Sequence, residues 1–205
     1  MIKLECMDVH KAYGSRKVLC GIDLELLRGD IIGICGDNGC GKSTLLSILA
    51  GVERADRGRV TLNGKDVRRI RDLPRRIGYV PQNDPIPGNV KVREILGLWC
   101  ASRSGFDSIT EEYELGDMLN MRVDKLSGGM RRRVSVACAS ASGPEMLILD
   151  EPATAMDMHF RELLYLDLVR TAGQGTGIVM VSHDPDELAL CNTCFRIIDG
   201  KNERI

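Results

Sequence analysis

The chain has almost no net charge. Its 205 residues carry 28 Lys and Arg against 29 Asp and Glu, a formal charge of −1 at pH 7, so the whole chain offers no electrostatic case for nucleic acid. It also lacks any apolar run near the roughly 20 residues that span a bilayer; a membrane role requires a separate spanning partner. The start, Met1-Ile2-Lys3-Leu4-Glu5, carries charge too early for a secretory signal. Internal repeats, low-complexity tracts, long coiled coils and paired zinc spacings are missing as well. Cysteine is not scarce, with eight residues, but Cys191-Asn192-Thr193-Cys194 is a lone CxxC with no second pair. It reads as two packed thiols rather than half a metal module. The arginine clusters at 68, 69 and 71, at 75 and 76, and at 131 to 133 read as solvated faces.

What is present centres on Gly36-Asp37-Asn38-Gly39-Cys40-Gly41-Lys42-Ser43-Thr44. The apolar run Ile31 to Cys35 precedes it, and the helical pattern Leu45 to Ala50 follows and stops at Gly51. Strand, glycine loop and helix are the order that a phosphate site requires. The glycines let several N–H groups converge on one point, and the helix start adds its positive dipole end. Lys42 can reach the β- and γ-phosphates, and the Ser43 hydroxyl can ligate Mg²⁺. A nucleoside triphosphate is the expected ligand. Cys40 fills a permissive loop position, where oxidation would block nucleotide. Such chemistry without a secretory signal fits a reducing compartment.

Around this loop the chain reads as α/β. Ile2, Leu4 and Cys6, then Ile22, Leu24 and Leu26, alternate with polar residues as half-buried strands do, with His10 to Gly14 as a break between them. Asn63-Gly64 predicts a hairpin between Val60–Leu62 and Lys65–Val67. Ile77–Val80, Met146–Leu149 and Ile178–Val181 are short branched runs suited to a parallel sheet buried on both faces. Helices are expected around Val134 to Ala141 and Phe160 to Leu168. Asp84 to Gly88 breaks the pattern, Val92, Ile95, Leu96 and Trp99 mark a helix face beyond it, and a short helix is expected over 111–119. Tyr13, one of only four tyrosines, either stacks on a purine ring or packs at an edge. Asp150-Glu151 ends the Met146–Leu149 strand, where adjacent carboxylates project in different directions. One can hold Mg²⁺ while the other faces an attacking water. His183-Asp184-Pro185-Asp186-Glu187 predicts a helix start with Asp184 as N-cap and Glu187 at N3.

Together with Leu126-Ser127-Gly128-Gly129-Met130 and Ser182-His183-Asp184, these motifs make nearly the whole chain resemble the nucleotide-binding subunit of ATP-binding cassette (ABC) transporters. The resemblance implies a P-loop NTPase core with a mixed sheet, an antiparallel β-subdomain and a small helical insert. In residue numbers it implies one domain over 1–205, with 1–82 and 127–205 as core and 83–126 as the insert. It implies ATP and Mg²⁺ as cofactors and two nucleotides sandwiched between head-to-tail cassettes. Ser127, Gly128 and Gly129 would bind the γ-phosphate held by the opposite subunit. Gln82 would reach Mg²⁺ and the water, His183 the γ-phosphate, and Tyr13 the adenine. Ala155-Met156-Asp157 would cross the dimer interface. Lys42, Gln82, Glu151 and His183 would carry catalysis, and Ser43, Gln82 and Asp150 the metal. Met130 departs from the glutamine common in the family. A separate permease, with the chain on the cytoplasmic membrane face, is the implied setting. A soluble ATPase acting on ribosomes or DNA is the alternative, and a cassette that binds ATP without cleaving it a third. One cassette with no coiled coil and no zinc spacing favours the transporter.

Overall fold

In a computed structural model, residues 3–83 and 86–205 are described. The strands are β1 (Lys3–Tyr13), β2 (Arg16–Leu27), β3 (Ile31–Cys35), β4 (Arg57–Leu62), β5 (Lys65–Asp66), β6 (Ile77–Val80), β7 (Met146–Asp150), β8 (Gly177–Val181), β9 (Thr193–Ile198) and β10 (Lys201–Arg204). The helices are α1 (Lys42–Leu49), α2 (Leu73–Arg76), α3 (Val92–Trp99), α4 (Arg103–Glu112), α5 (Gly128–Ser140), α6 (Met158–Gly173) and α7 (Pro185–Ala189). One sheet is antiparallel, in the order β2-β1-β4-β5. The other runs β10-β9-β3-β8-β7-β6, parallel throughout except for β10.

The short branched runs form the central strands because both of their faces are covered. Ile32 and Ile34, Ile148, and Val179 and Val181 join the core beneath the antiparallel sheet and α1. Their neighbours Ile31, Leu147, Leu149, Ile178 and Met180 join the core beneath α5 and α6. Alternate side chains of one strand thus feed two cores, which is why no polar residue interrupts these runs. Val92 and Leu96 of α3, Ile109 of α4, Tyr113 and Val123 extend the second core. The two ends of that helical stretch are stitched together where Val92 N–H donates to Met121 O at 3.0 Å and Val123 N–H to Val90 O at 3.0 Å.

Three expectations need correction. The break at His10 is not the end of a strand, since β1 continues to Tyr13. Its register shifts between Cys6 and Val9, and Asp8 adopts φ +46°. A bulge of this kind inserts a residue, so the buried positions change parity from Leu4 and Cys6 to Val9 while pairing continues. The helix expected over 111–119 lies earlier, as α4. Ser102 caps it, accepting from Gly105 N–H at 3.1 Å, and Glu114 at φ +47° ends the turn that follows. Within the rest of 111–119 the chain forms a 3₁₀ turn, Gly116–Met118. Val67 starts a 3₁₀ turn rather than extending the predicted hairpin, whose strands β4 and β5 do pair. Ile2 of the first predicted strand and Asp84 and Pro85 of the predicted break lie outside the described residues.

Candidate functional site

The glycine loop joins the C-terminal end of β3 to α1. Gly41 is the residue before the helix, with φ +112°, and a Cβ there would sit 2.9 Å from both Val18 and Leu19 side chains. Only glycine allows the loop to close that tightly. Lys42 is buried, and its ammonium donates to Gly36 O at 2.7 Å and Asp37 O at 2.9 Å. That holds the charge over the loop's mouth. Arg16 braces the loop from β2, donating to Gly39 O at 2.8 Å.

Across the loop, β7 delivers the two carboxylates. Asp150 is 1% exposed. Burial pushes its carboxyl above the usual aspartate range, opposed by a hydrogen bond from Ser43. Its Oδ2 atom is buried without a protein partner, an arrangement that is costly unless something cationic completes it. Among the described residues no group of three or more metal-ligating side chains forms. Mg²⁺ is commonly held by one or two carboxylates together with phosphate and water, and the unpartnered Asp150 Oδ2 offers one such oxygen. Glu151 follows in the left-handed region at φ +52°, a strain of about 1–3 kcal/mol for a non-glycine residue. Thr154 Oγ1 donates to Glu151 Oε2 at 3.2 Å, and His183 Nε2 lies 3.9 Å from Oε1.

Tyr13, Asn38, Gly39, Gly41, Lys42, Ser43, Thr44, Gln82, Asp150 and Glu151 line one cleft of about 300 Å³. Gly36 to Cys40 and His183 line the adjoining one. Tyr13 is half exposed; its hydroxyl donates to Glu53 at 2.6 Å, and the Lys11 ammonium lies 5.3 Å from its ring centroid. Ser127, Gly128 and Gly129 line neither cleft. They open α5, where Ser127 Oγ accepts from Met130 N–H at 3.2 Å. A Cβ on Gly129 would lie 2.3 Å from Ala155 O, so the segment Ala155 to Asp157 packs directly on this helix start. Asp157 in turn caps α6.

The family model described as ABC transporter matches residues 19–154, which hold the glycine loop, the α5 start and the carboxylate pair. This chain belongs to the ABC transporter family. It is 38% identical to a Nod factor export ATP-binding protein I of Azorhizobium caulinodans, over 88% of this chain and 59% of that protein. The Rhizobium etli protein of the same name is 33% identical, over 98% and 67%. The chain therefore spans about three fifths to two thirds of the length of these relatives. A solved ATP-binding subunit of an ABC transporter superposes with a TM-score of 0.91 at 23% identity, covering 98% of this chain and 89% of that one. The fold is that of the ABC ATPase, and the chain carries the family's ATPase domain. Among the described residues no helix is long and apolar enough to cross a membrane.

Within this ABC ATPase domain, the structure corrects one reading and gives residues partners that the sequence did not reveal. The 131–133 cluster is not a solvated face, because Arg132 and Arg133 are buried. Arg133 stacks 3.6 Å from the Phe160 ring centroid. Arg132 reaches four backbone carbonyls, donating to Pro81 O at 2.5 Å, Glu151 O at 3.0 Å, Pro152 O at 3.3 Å and also Asp150 O. Glu187 stands at N3 of α7, as expected. Asp184 caps α7 as expected, but Glu187 is buried and accepts from Ala153 N–H at 3.2 Å. Burial pushes its carboxyl up, opposed first by a hydrogen bond from Ser182. Cys191 and Cys194 are free thiols packed at the end of α7. Burial pushes the Cys191 thiol to about 12, so it carries little thiolate near neutrality.

Proposed function

We propose that the chain is the ATP-hydrolysing subunit of an ABC transporter, in which ATP draws two cassettes together around a separate membrane permease. The observation that carries the catalytic half of this reading is the shared cleft: Lys42, Ser43, Asp150, Glu151, Gln82 and Tyr13 line one space. In it Lys42 and the loop N–H groups hold the phosphates, while Tyr13 offers its ring to the adenine. Ser43, Asp150 and Gln82 would hold Mg²⁺, which when bound neutralises charge on the phosphate oxygens. The unpartnered Asp150 Oδ2 supports that assignment. Phosphoryl transfer asks the protein chiefly for positioning and charge stabilisation. Glu151 accepts a proton from the attacking water, and His183, close to that carboxylate, steadies the transferring phosphoryl group.

The exposed α5 start supports assembly from two copies, since Ser127, Gly128 and Gly129 face no nucleotide cleft of their own chain. The partner cassette would bring these groups to the γ-phosphate. The helical span 83–126 is read as a subdomain that contacts the permease. An apolar groove of about 280 Å³ at its base, lined by Val52, Pro74, Tyr79, Ile95 and Trp99, supports this. Export is the direction in the names of the relatives, and it is the direction proposed here.

Glu151→Gln tests the reading directly. The variant should bind ATP as the native chain does, lose turnover by at least about 100-fold, and accumulate an ATP-bound dimer in light scattering. Native-like phosphate release from the variant would overturn the assignment of Glu151.

A further inference from the structure

We propose that Arg132 is a positioning residue for hydrolysis, which ties the α5 helix start of each cassette to the hydrolytic segment of the same cassette. The inference rests on the proposed roles of Glu151 and Gln82 and goes beyond them. A guanidinium has five N–H donors in a rigid planar fork. In Arg132 they are directed at carbonyls from two segments that converge on the ATP cleft. One is Pro81 O, the peptide that leads into Gln82. The others are Asp150 O, Glu151 O and Pro152 O, three consecutive carbonyls that bracket the proposed base. The side chain is 4% exposed, so water does not compete for these bonds.

These bonds fall where the backbone most needs them. Glu151 sits at φ +52° and Ala155 at φ +63°, and strained residues persist only where their surroundings over-determine them. Arg132 fixes the carbonyl side of this segment. Glu151 N–H bonded to Val181 O at 2.9 Å and Ala153 N–H bonded to Glu187 fix its amide side. Arg132 differs from the amide-side holders in its origin. It stands five residues beyond Ser127 on one continuous helix, about 7.5 Å along the axis. A displacement of the α5 start, which would meet the partner's nucleotide, is carried by a stiff helix to the carbonyls behind Glu151 and to the approach of Gln82. Arg132 thereby couples each ATP site to the other, beside the direct packing of Ala155 on Gly129. Lysine cannot replace this, because an ammonium on a flexible stem lacks the planar fork.

The test uses the full chain with Arg132→Lys and Arg132→Met, measuring ATPase kcat, KM and Hill coefficient, binding of a fluorescent ATP analogue, and Tm. For the lysine variant, kcat should fall by about 10- to 100-fold, the scale expected from a misplaced catalytic group. Its KM and analogue affinity should stay within about threefold of native, and its Hill coefficient should fall toward 1. The methionine variant should lose more turnover than lysine does, which marks partial rescue by the conserved charge. Native kcat and Hill coefficient in the lysine variant would overturn the inference, even if the methionine variant fails to fold. So would a kcat loss matched by an equal loss of analogue affinity. If the unsubstituted chain releases no phosphate and Glu151→Gln forms no ATP-bound dimer, the proposed function itself fails, a result distinct from both.

Discussion

Two helices of this chain begin with glycine-bearing loops, and their surroundings differ. α1 starts at Gly41 and faces a cleft walled by Lys42, Ser43, Asp150 and Tyr13 of its own chain. α5 starts at Ser127, and Ser127, Gly128 and Gly129 line neither cleft at the glycine loop. Both N-termini have the dipole and donors that attract an anion. Around the first, a cation, a buried acid and an aromatic ring line one cleft. An anion-binding helix start becomes a nucleotide site when other groups converge on it. For α5 the proposed source of those groups is a second copy of the chain.

The largest effect that could break this comparison comes from mixing variants. Lys42→Ala should disable the loop, and Ser127→Arg should block the α5 start. Each alone should lose turnover by at least about 100-fold, the scale for removing a key stabilising donor. A mixture contains dimers with one intact loop facing one intact α5 start, so phosphate release should reappear. An inactive mixture would place α5 at its own chain's nucleotide or leave it as a helix start alone. Full activity in Ser127→Arg alone would likewise remove α5 from the partner's nucleotide site.

Tyr13 sharpens the cis half. Its hydroxyl is engaged by Glu53, but its ring is half exposed at the mouth of the cleft. Base-on-aromatic stacking contributes about 1–3 kcal/mol by alanine substitution, equivalent to about 5- to 150-fold in affinity. Tyr13→Ala should weaken ATP by that range with kcat little changed, and Tyr13→Phe should stay near native. Equal losses in both variants, read by equilibrium binding of an ATP analogue, would assign the effect to the Glu53 hydrogen bond and not to the ring.

The same contrast explains what the sequence revealed. The glycine loop was legible because strand, loop, Lys42 and Ser43 are contiguous, so local spacing alone sets their geometry. The central strands were legible because residues buried on both faces leave an uninterrupted apolar run. Arg132 was not legible, since its acceptors lie about 20 and 51 residues away and are backbone carbonyls, which leave no mark on residue type. Glu187 sits where a capping acid would, and its bond from Ala153 N–H, 34 residues away, leaves no mark on the local pattern. The β1 bulge hid a continuous strand by changing the parity of its buried side. The α4 helix was obscured by Gly105 and by having few apolar residues, with Ile109 its only buried one.

Asp150 carries the smallest expected effect, and it separates stability from function within the cis site. Its folded-state carboxyl titrates above the ordinary aspartate range because burial penalises the charge. The folded chain therefore holds that proton to higher pH than the unfolded chain does. The sign follows: stability falls as pH rises from the ordinary aspartate value through the raised one, and is flat on either side of that window. Asp150→Asn removes the buried charge, so without nucleotide its Tm should exceed the native value near neutral pH. The gain should be about 2–4 °C for each kcal/mol released, and it should vanish at pH below the ordinary aspartate range. With Mg²⁺ and ATP the order should reverse, because the native chain gains Tm by binding and the variant has lost its metal carboxylate. A native protein already more stable than Asp150→Asn at neutral pH without Mg²⁺ would mean that this carboxylate is satisfied within the chain, and its proposed place as a metal ligand would fall.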